Sequence, residues 1–457
     1  MYDLLLKNGT YPDFKAGEMK KGNIAVKDGK IAYIGEDMPD AEKITDAEGM
    51  IVSPGFIDIH MHEENFAEEG EKYVIAQMML EMGVTTACGG NCGMQKQDLS
   101  YFKDVIKRLG GAPINYLMQA GYNTFRYQYN IGRYEEASAE QKDAIHKLLL
   151  RELSEGACGI SFGIEYDPGI TTEEILYAIS CTDNPQLIMS AHYRDDCTGD
   201  IESVKEMIYI AGQIPMKFQI SHLSSCSAMG LMKESLEAIN SAMETNMRLN
   251  YDTYPYNAFS THMGSAVFED GCLEAWKKDY SDILLTDNPY KDVRCTKEIF
   301  EKVRVEYPDM LGVAFVMNEE EIAAAIANKN GMVASDAIIN NGNGHPRAAG
   351  TFPRVLGKYV REDKVLPIID ALRKMTLEPA ERLNLSRKGR IEEGCDADFT
   401  VFNPETVKDG ATFSDLHIQP EGIEYVYING QMALSHKNTV NDRLGRFISF
   451  NEAVGSR

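Results

Sequence analysis

The first fifty residues alternate apolar and polar positions in short runs, a pattern that is typical of β-strands. The run YDLLLKNGT is followed by GNIAVKDGKIAYIGE, where the Asp28-Gly29 pair predicts a hairpin turn. Strand patterning of this kind returns only near the end of the chain, in CDADFTVFNP and IEYVYING. We therefore expect residues 1–53 and 381–457 to build one small β domain together.

Between these two ends, short β-branched apolar runs alternate with longer segments of helical period, such as EQKDAIHKLLLREL and LMKESLEAINSAME. The eight apolar runs are GFIDIHMH, GVTTACGG, INYLMQAG, GISFGIEY, QLIMSAH, MKFQISH, RLNYDTYPY and GMVASDA. Eight strands with intervening helices predict an α/β fold, a (β/α)8 barrel of the TIM type over residues 54–380. A doubly wound sheet is the alternative that the pattern leaves open.

One segment interrupts this alternation. Residues 257–330 separate the seventh apolar run from the eighth, which is long for a connection inside a barrel. Loops that follow barrel strands emerge at the catalytic face. We therefore expect this insertion to form a lid over the barrel mouth, and its Trp276 is the only tryptophan of the chain.

The composition limits the classes of binding partner and the cellular compartment that we expect for this protein. The 457 residues carry 46 Lys and Arg against 70 Asp and Glu, a net charge of −24, which argues against nucleic acid or an anionic membrane as a partner. No apolar run approaches membrane-spanning length, and the leucines of MYDLLLKNGT are too few for a signal-peptide core. Nine irregularly spaced cysteines indicate reduced thiols, so we expect a cytoplasmic protein.

Several histidines stand at the ends of predicted barrel strands. In IDIHMH, strand alternation places His60 and His62 on one face, from which two imidazoles can reach one metal ion. Two histidines in an isolated motif of this kind more often only form hydrogen bonds. However, QLIMSAH ends at His192, MKFQISH ends at His222 and GMVASDA runs into Asp336. Five candidate ligands at one rim of one barrel favour a metal site.

A cysteine adds to this set. Cys92 lies in GGNCG, residues 89–93, where the glycines predict a tight turn instead of a packed strand or helix. Neither core packing nor a disulfide explains a cysteine on such a turn. Imidazoles, a carboxylate and a thiolate together form the ligand set expected for zinc. Cys88, which precedes the turn, is predicted to be a packing residue.

The motifs SPGFIDIHMH, GVTTACGGNCG, SAHYRDD, ISHL, DTYPYNAFST and HPRAAGTFPRVLGKYVRE resemble the N-acyl-D-amino-acid deacylases, or D-aminoacylases, of the amidohydrolase superfamily. The resemblance runs over nearly the whole length, and GNCG and HPRxxGTFPRVLG are its specific parts. It implies a barrel flanked by a small β-sandwich and an amide hydrolysis that uses zinc. It also implies one tightly bound zinc on Cys92, His192 and His222. A weaker second site would use His60 and His62 and share Cys92 and Asp336.

The catalytic roles follow from this arrangement. The glycines of the turn would aim Cys92 into the barrel mouth, where zinc would hold it as a thiolate. Zinc would activate water and polarise the amide carbonyl. Asp336, a carboxylate beside the metal, is the predicted general acid and base. Asp58, deeper on the histidine face, is expected to orient a ligand.

The predicted substrate contacts rest on the same resemblance. Arg347, eleven residues after Asp336 in NGNGHPR, matches the family arginine that binds the substrate carboxylate, and its planar fork suits bidentate recognition. A surface ion pair is the alternative for Arg347. Tyr254 and Ser260 match further substrate-binding residues of the family.

Three positions depart from the family pattern. Ser224 replaces a lysine, Tyr122 replaces a histidine, and Phe162 stands in SFG where relatives have STG. We expect each of the three to lie near the substrate. Hydrolysis is therefore better supported by the sequence than the identity of the substrate.

The resulting hypothesis is a zinc-dependent enzyme that cleaves the linear amide of an N-acyl-D-amino acid, a small-molecule substrate. A cyclic amide hydrolase of the hydantoin or dihydropyrimidine kind is the first alternative, although such enzymes usually carry a carboxylated lysine. A non-catalytic scaffold with this fold is the second, and the full ligand set argues against it. A homo-oligomer is compatible with the sequence.

Overall fold

The computed structural model describes residues 1–455. Nine strands from both ends of the chain form the small β-sandwich. They are Tyr2–Asp13, Glu18–Lys27, Lys30–Gly35, Ala41–Asp46, Ile51–Pro54, Phe399–Phe402, Ile423–Ile428, Gln431–Ser435 and Asn438–Thr439. The predicted hairpin is present, because Lys27 pairs with Lys30 across Asp28 and Gly29, both of which have positive φ. The antiparallel pairing of Ile51–Pro54 with Phe399–Phe402 joins the N-terminal and C-terminal contributions.

The barrel follows directly from the fifth of these strands. Its eight strands are Phe56–Asp58, Val84–Gly89, Asn115–Met118 with Ala120–Gly121, Gly159–Gly163, Ile188–His192, Lys217–Ile220, Leu249–Thr253 and Met332–Val333. Every strand pairing around the barrel is parallel. The buried side chains of these strands and of the surrounding helices form one continuous core.

The barrel closes between its first and last strands. Met61 bridges Ala337, and the His62 backbone N–H donates to the carbonyl of Ala337 at 2.8 Å. The Asp336 N–H donates to the carbonyl of His60, also at 2.8 Å. This closure confirms the predicted (β/α)8 barrel and excludes the doubly wound sheet, which has open edges.

Helices alternate with the strands. The α-helices are Phe66–Glu69, Ile75–Glu81, Leu99–Arg108, Tyr122–Gln128, Ala139–Glu155, Thr172–Ile179, Asp200–Gln213, Leu223–Ser227, Met232–Thr245, Cys272–Trp276, Lys297–Glu306, Glu319–Ala327, Arg347–Arg354, Ile368–Met375, Leu377–Arg382 and Phe450–Gly455. The segment Val355–Glu362 continues one of them with π-helical turns. The longest, Ala139–Glu155, starts at a capping box on Ser138 and ends at Gly156, which has a φ of 110°. No helix within residues 1–455 is long and apolar enough to cross a bilayer.

The long segment between the last two barrel strands has structure of its own. It contains a three-stranded antiparallel sheet of Phe259–His262, Ile283–Leu285 and Leu311–Ala314. Trp276 packs on Phe259 and Phe268. Its indole N–H also donates to Asp196 Oδ2 at 3.1 Å, on the loop after the fifth barrel strand. The insertion is therefore tied to a loop of the barrel mouth. Farther along, Glu319–Ala327 packs with the barrel helix Met232–Thr245.

Candidate active site

The first and last barrel strands bring three candidate ligands together. His60 Nε2 lies 3.4 Å from Asp336 Oδ1, and His62 Nε2 lies 3.3 Å from the same oxygen. All three side chains are buried. The closing hydrogen bonds of the barrel connect the backbones of these residues, so the strand pairing itself fixes their separation.

Cys92 joins this group from the turn after the second strand. Its sulfur lies 3.3 Å from His60 Nε2 and 3.3 Å from His222 Nε2. The turn needs its glycines, since Cys92 itself has a φ of 52° and a Cβ on Gly93 would lie 1.7 Å from Asn123 Oδ1. Cys92 thus lies at the centre of the candidate ligands.

A carboxylate holds both ends of this turn. Glu63 Oε2 accepts from the Gly90 N–H at 2.9 Å, and Glu63 Oε1 accepts from the Lys96 N–H at 2.6 Å. Glu63 is buried and directly follows His62. The turn that carries Cys92 is therefore anchored to the strand that carries the first histidine pair.

The fifth and sixth strands supply the remaining imidazoles. His222 Nδ1 lies 2.7 Å from Ser225 Oγ, which leaves Nε2 directed toward Cys92. His192 Nε2 lies 2.5 Å from Glu165 Oε2, while the buried Nδ1 of His192 has no hydrogen-bond partner. An unpartnered buried nitrogen is costly unless it has a ligand to bind.

The candidate ligand atoms fall into two groups that share the thiol. One consists of His60, His62, Cys92 and Asp336, the other of Cys92, His192 and His222, and within each group the atoms lie within 4.8 Å of one another. Zinc prefers this mixture of thiolate, imidazole and carboxylate. The unpartnered Nδ1 of His192 and the converging nitrogens around Cys92 fit a metal ion.

The electrostatics of the site favour the ligand forms of the acidic groups. Burial alone would raise the pKa of the Cys92 thiol, but His60 and His222 hold that pKa well below its usual value. Burial likewise opposes ionisation of Asp336, and Arg347 and His222 hold its pKa well below the usual range. A thiolate and a carboxylate in a buried cluster attract a cation.

Two buried aspartates contact the histidine segments. Asp58 Oδ1 accepts from the backbone N–H groups of His60 and Ser335, so its hydrogen bonds reach the histidine segment through the backbone. Asp252, which the sequence did not single out, lies 3.2 Å from His60 Nδ1 and accepts from the His222 N–H at 2.8 Å. Asp252 and Glu165 were missed although each stands near the C-terminal end of a barrel strand, where the ligands also lie.

Arg347 is part of the buried site. Its exposed fraction is 1%, and its Nη2 lies 2.9 Å from Asp336 Oδ2 and donates to the Ser260 carbonyl at 3.2 Å. The alternative of a surface ion pair is therefore wrong. The guanidinium lies 4.7 Å from the ring centre of Tyr254. Its Nε and Nη1, and the buried Ser260 hydroxyl, have no hydrogen-bond partner.

A cavity of about 240 Å³ opens above these groups. Asp336, Arg347 and His62 line it, together with residues of the insertion that include Ser260 and Pro308. The insertion predicted to cover the barrel mouth thus borders the cavity.

The three departures from the family pattern lie in different places. Ser224 is fully buried, and its hydroxyl donates to the Tyr254 carbonyl at 3.3 Å. Tyr122 and Phe162 pack on each other, with ring centres 5.1 Å apart, and the Tyr122 hydroxyl donates to Glu174. Both residues belong to the core and border neither this cavity nor the smaller one beside it. The expectation that they lie near the substrate is wrong, because burial against each other turns them away from it.

Comparison with known proteins agrees with this architecture. A family model described as the amidohydrolase family matches residues 51–433. The chain belongs to this family. It is 29% identical to the D-aminoacylase of Alcaligenes xylosoxydans xylosoxydans, with 98% of each chain covered. A crystal structure of D-aminoacylase superposes with a TM-score of 0.88 at 28% identity, covering 98% of this chain and 100% of that one.

A second solved structure contains ligands. It is an N-acyl-D-glutamate deacylase from Bordetella bronchiseptica, complexed with zinc and with a phosphonate inhibitor that mimics the tetrahedral intermediate. It superposes with a TM-score of 0.87 at 25% identity, covering 98% of this chain and 99% of that one. The present chain is an amidohydrolase of the D-aminoacylase subset, a hydrolase that acts on carbon–nitrogen bonds.

Proposed function

We propose that this enzyme uses zinc to hydrolyse the linear amide of N-acyl-D-amino acids, releasing a carboxylate and a free D-amino acid. The observation that carries the substrate class is Arg347, a buried guanidinium with two unpartnered nitrogens beside the candidate metal ligands. Asp336 engages only Nη2 of this guanidinium, so its free Nε and Nη1 can bind a further anion, and the α-carboxylate of the substrate supplies one.

The metal assignment is part of the proposal. Cys92, His192 and His222 would hold the tightly bound zinc, and His60, His62 and Asp336 would complete a weaker second site through the shared thiolate. The bound metal would supply Lewis acidity and lower the pKa of a water molecule to about 7.

Asp336 would move the proton. It is ionised next to the ligand cluster, so it can accept a proton from the attacking water and return it to the leaving amine. Arg347 would fix the α-carboxylate with its forked nitrogens, supported by the Tyr254 ring and the free Ser260 hydroxyl. This contact would hold the amide over the metal.

A substrate panel tests the proposal. Zinc-loaded protein is incubated with N-acetyl-D-amino acids, with their L enantiomers and with the corresponding hydantoins. The free amino acid released from the N-acetyl compounds and the ring-opened N-carbamoyl amino acid formed from the hydantoins are measured. Hydrolysis of the D series at the highest kcat/KM is expected. Turnover of hydantoins alone would favour the cyclic amide hydrolase. Stoichiometric zinc without turnover of any of these compounds would favour the scaffold.

A further inference from the structure

The cavity above the site contains a cation that amide hydrolysis does not require. Lys96, four residues after Cys92, lines this cavity together with His62 and Arg347. Its side chain is half-buried. Its position belongs to the same anchored turn that presents the candidate thiolate.

The backbone around Lys96 is held firmly. The Lys96 N–H donates to Glu63 at 2.6 Å. The preceding residue, Gln95, donates from its backbone to Thr124 Oγ1 at 2.9 Å and from its side chain to Glu152 at 2.8 Å. Both Glu63 and Glu152 are buried, so the base of the lysine side chain is fixed in place.

Unlike the backbone around it, the ammonium group of Lys96 has no bonding partner among the described residues. Within residues 1–455 it makes no ion pair and no hydrogen bond, whereas the two other cations that line the cavity are engaged. Arg347 pairs with Asp336. Arg133 donates to the Gly264 carbonyl at 3.0 Å and lies 3.5 Å from Glu269.

The neighbours of Lys96 show where its charge acts. Burial lowers the pKa of His262, another cavity residue, and the charge of Lys96 lowers that pKa further. His262 donates from Nδ1 to the Asp309 carbonyl, so its Nε2 is the nitrogen left for a ligand. Burial raises the pKa of Glu69 and the charge of Lys96 opposes that rise, but Glu69 forms no ion pair with Lys96.

We propose that Lys96 binds a second anionic group of the substrate, so that the enzyme selects N-acyl-D-amino acids with another carboxylate besides the α-carboxylate. This inference rests on the function proposed above. An unpaired ammonium in a partly desolvated cavity gains most from an anion that excludes water. Position 224 offers no cation for this purpose, because Ser224 is fully buried and bonded to the backbone of Tyr254.

The second carboxylate can lie on the amino-acid side chain or on the acyl group, and matched substrates separate the two. N-acetyl-D-glutamate is compared with N-acetyl-D-glutamine, and N-succinyl-D-alanine with its terminal amide. Within each pair only the second charge differs. The pair whose acidic member is preferred by the wild-type enzyme identifies the part of the substrate that Lys96 contacts.

Three variants test the assignment on both pairs. Lys96→Met should lower kcat/KM for the preferred acidic substrate about 10- to 100-fold, the loss expected for a charge-assisted hydrogen bond, and leave its neutral partner within about twofold. Lys96→Arg should recover most of that loss. Lys107→Met, an exposed lysine outside the cavity, makes the same change in net charge and should alter neither substrate.

The outcomes distinguish this inference from the proposed function. Hydrolysis of N-acyl-D-amino acids with no preference for the acidic members, or with equal losses in both members of a pair on Lys96→Met, overturns the role of Lys96 alone. Hydrolysis of none of these compounds overturns both. Zinc content and thermal unfolding of Lys96→Met should match the wild type, which shows that a selective loss is not a loss of fold.

Discussion

Arg347 Nη2 lies 2.9 Å from Asp336 Oδ2, and both side chains are buried. The other carboxylate oxygen of Asp336 faces His60 and His62. The candidate proton carrier and the candidate carboxylate anchor are therefore partners before substrate binds. A substrate carboxylate on the free Nε and Nη1 of Arg347 would share this guanidinium with Asp336, which would weaken the ion pair and make Asp336 a better proton acceptor.

Arg347→Met is expected to lower kcat/KM for N-acyl-D-amino acids by a factor that corresponds to about 2–5 kcal/mol, the range for removing one partner of a buried charge pair. For a substrate whose α-carboxylate is amidated, the fold-loss in kcat/KM on Arg347→Met should be at least about tenfold smaller, since this substrate makes no ion pair with Arg347. Steady-state kinetics on the two substrates measure the difference.

Arg347→Lys is the matched control, because it keeps the positive charge and removes the planar guanidinium. It should keep part of the carboxylate preference. If Arg347→Met instead affects the carboxylate and the amide substrates equally, Arg347 acts only by holding Asp336, and the substrate class loses its main support.

Asp336→Asn should retain the tightly bound zinc, because Cys92, His192 and His222 form a group without it. It should lower kcat by at least the roughly 10²-fold expected for a lost general base. Metal analysis and single-turnover rates check both parts. Near-normal turnover in a zinc-loaded Asp336→Asn protein would exclude the acid–base role.

Cys92→Ala should lose zinc and activity, because the thiol is common to both candidate ligand groups. Cys88→Ala is its control. Cys88 is also buried near the end of the second strand, but its sulfur contacts Cys158 Sγ at 3.6 Å. This control should keep full zinc at a stability cost of about 1 kcal/mol. Full occupancy in Cys92→Ala, measured by metal analysis, would refute the ligand assignment.

Trp276 should report movement of the insertion. It is buried against Phe259 and Phe268 and bonded to Asp196 near the candidate site, so a lid movement changes its surroundings. We expect saturating substrate or product to change its fluorescence and to slow proteolysis of residues 257–330. A Trp276→Phe protein provides the blank. No change in either signal would mean that the insertion is a fixed wall.

The sequence predicted the parts of the fold and site that depend on local pattern. Strand alternation put His60 and His62 on one face, and the glycines around Cys92 marked its turn. It missed Glu63, Glu165 and Asp252, since each acts on a partner that only the tertiary fold brings near. A carboxylate at a strand end looks the same in sequence whether it supports a ligand or faces solvent.

The substrate-side residues show the same limit. Tyr122 and Phe162 occupy positions expected near the substrate, yet their rings turn into the core and pack on each other. Conversely, Lys96 is one charged residue among many until the fold places its ammonium in the cavity. The direction in which a side chain points depends on the residues that pack against it, and the spacing of residues along the sequence does not specify them.

Barrel closure has a consequence for folding. Asp58 and Ser335 are bonded although 277 residues separate them along the chain, and the candidate ligands His60 and Asp336 lie directly beside them. Closing so long a loop costs chain entropy, which the contacts of the complete barrel offset, so we expect this seam to form late in folding. A metal ion that binds across the seam would therefore raise the free energy of global unfolding, and stripping it would lower the cooperativity that holds the first strand to the last.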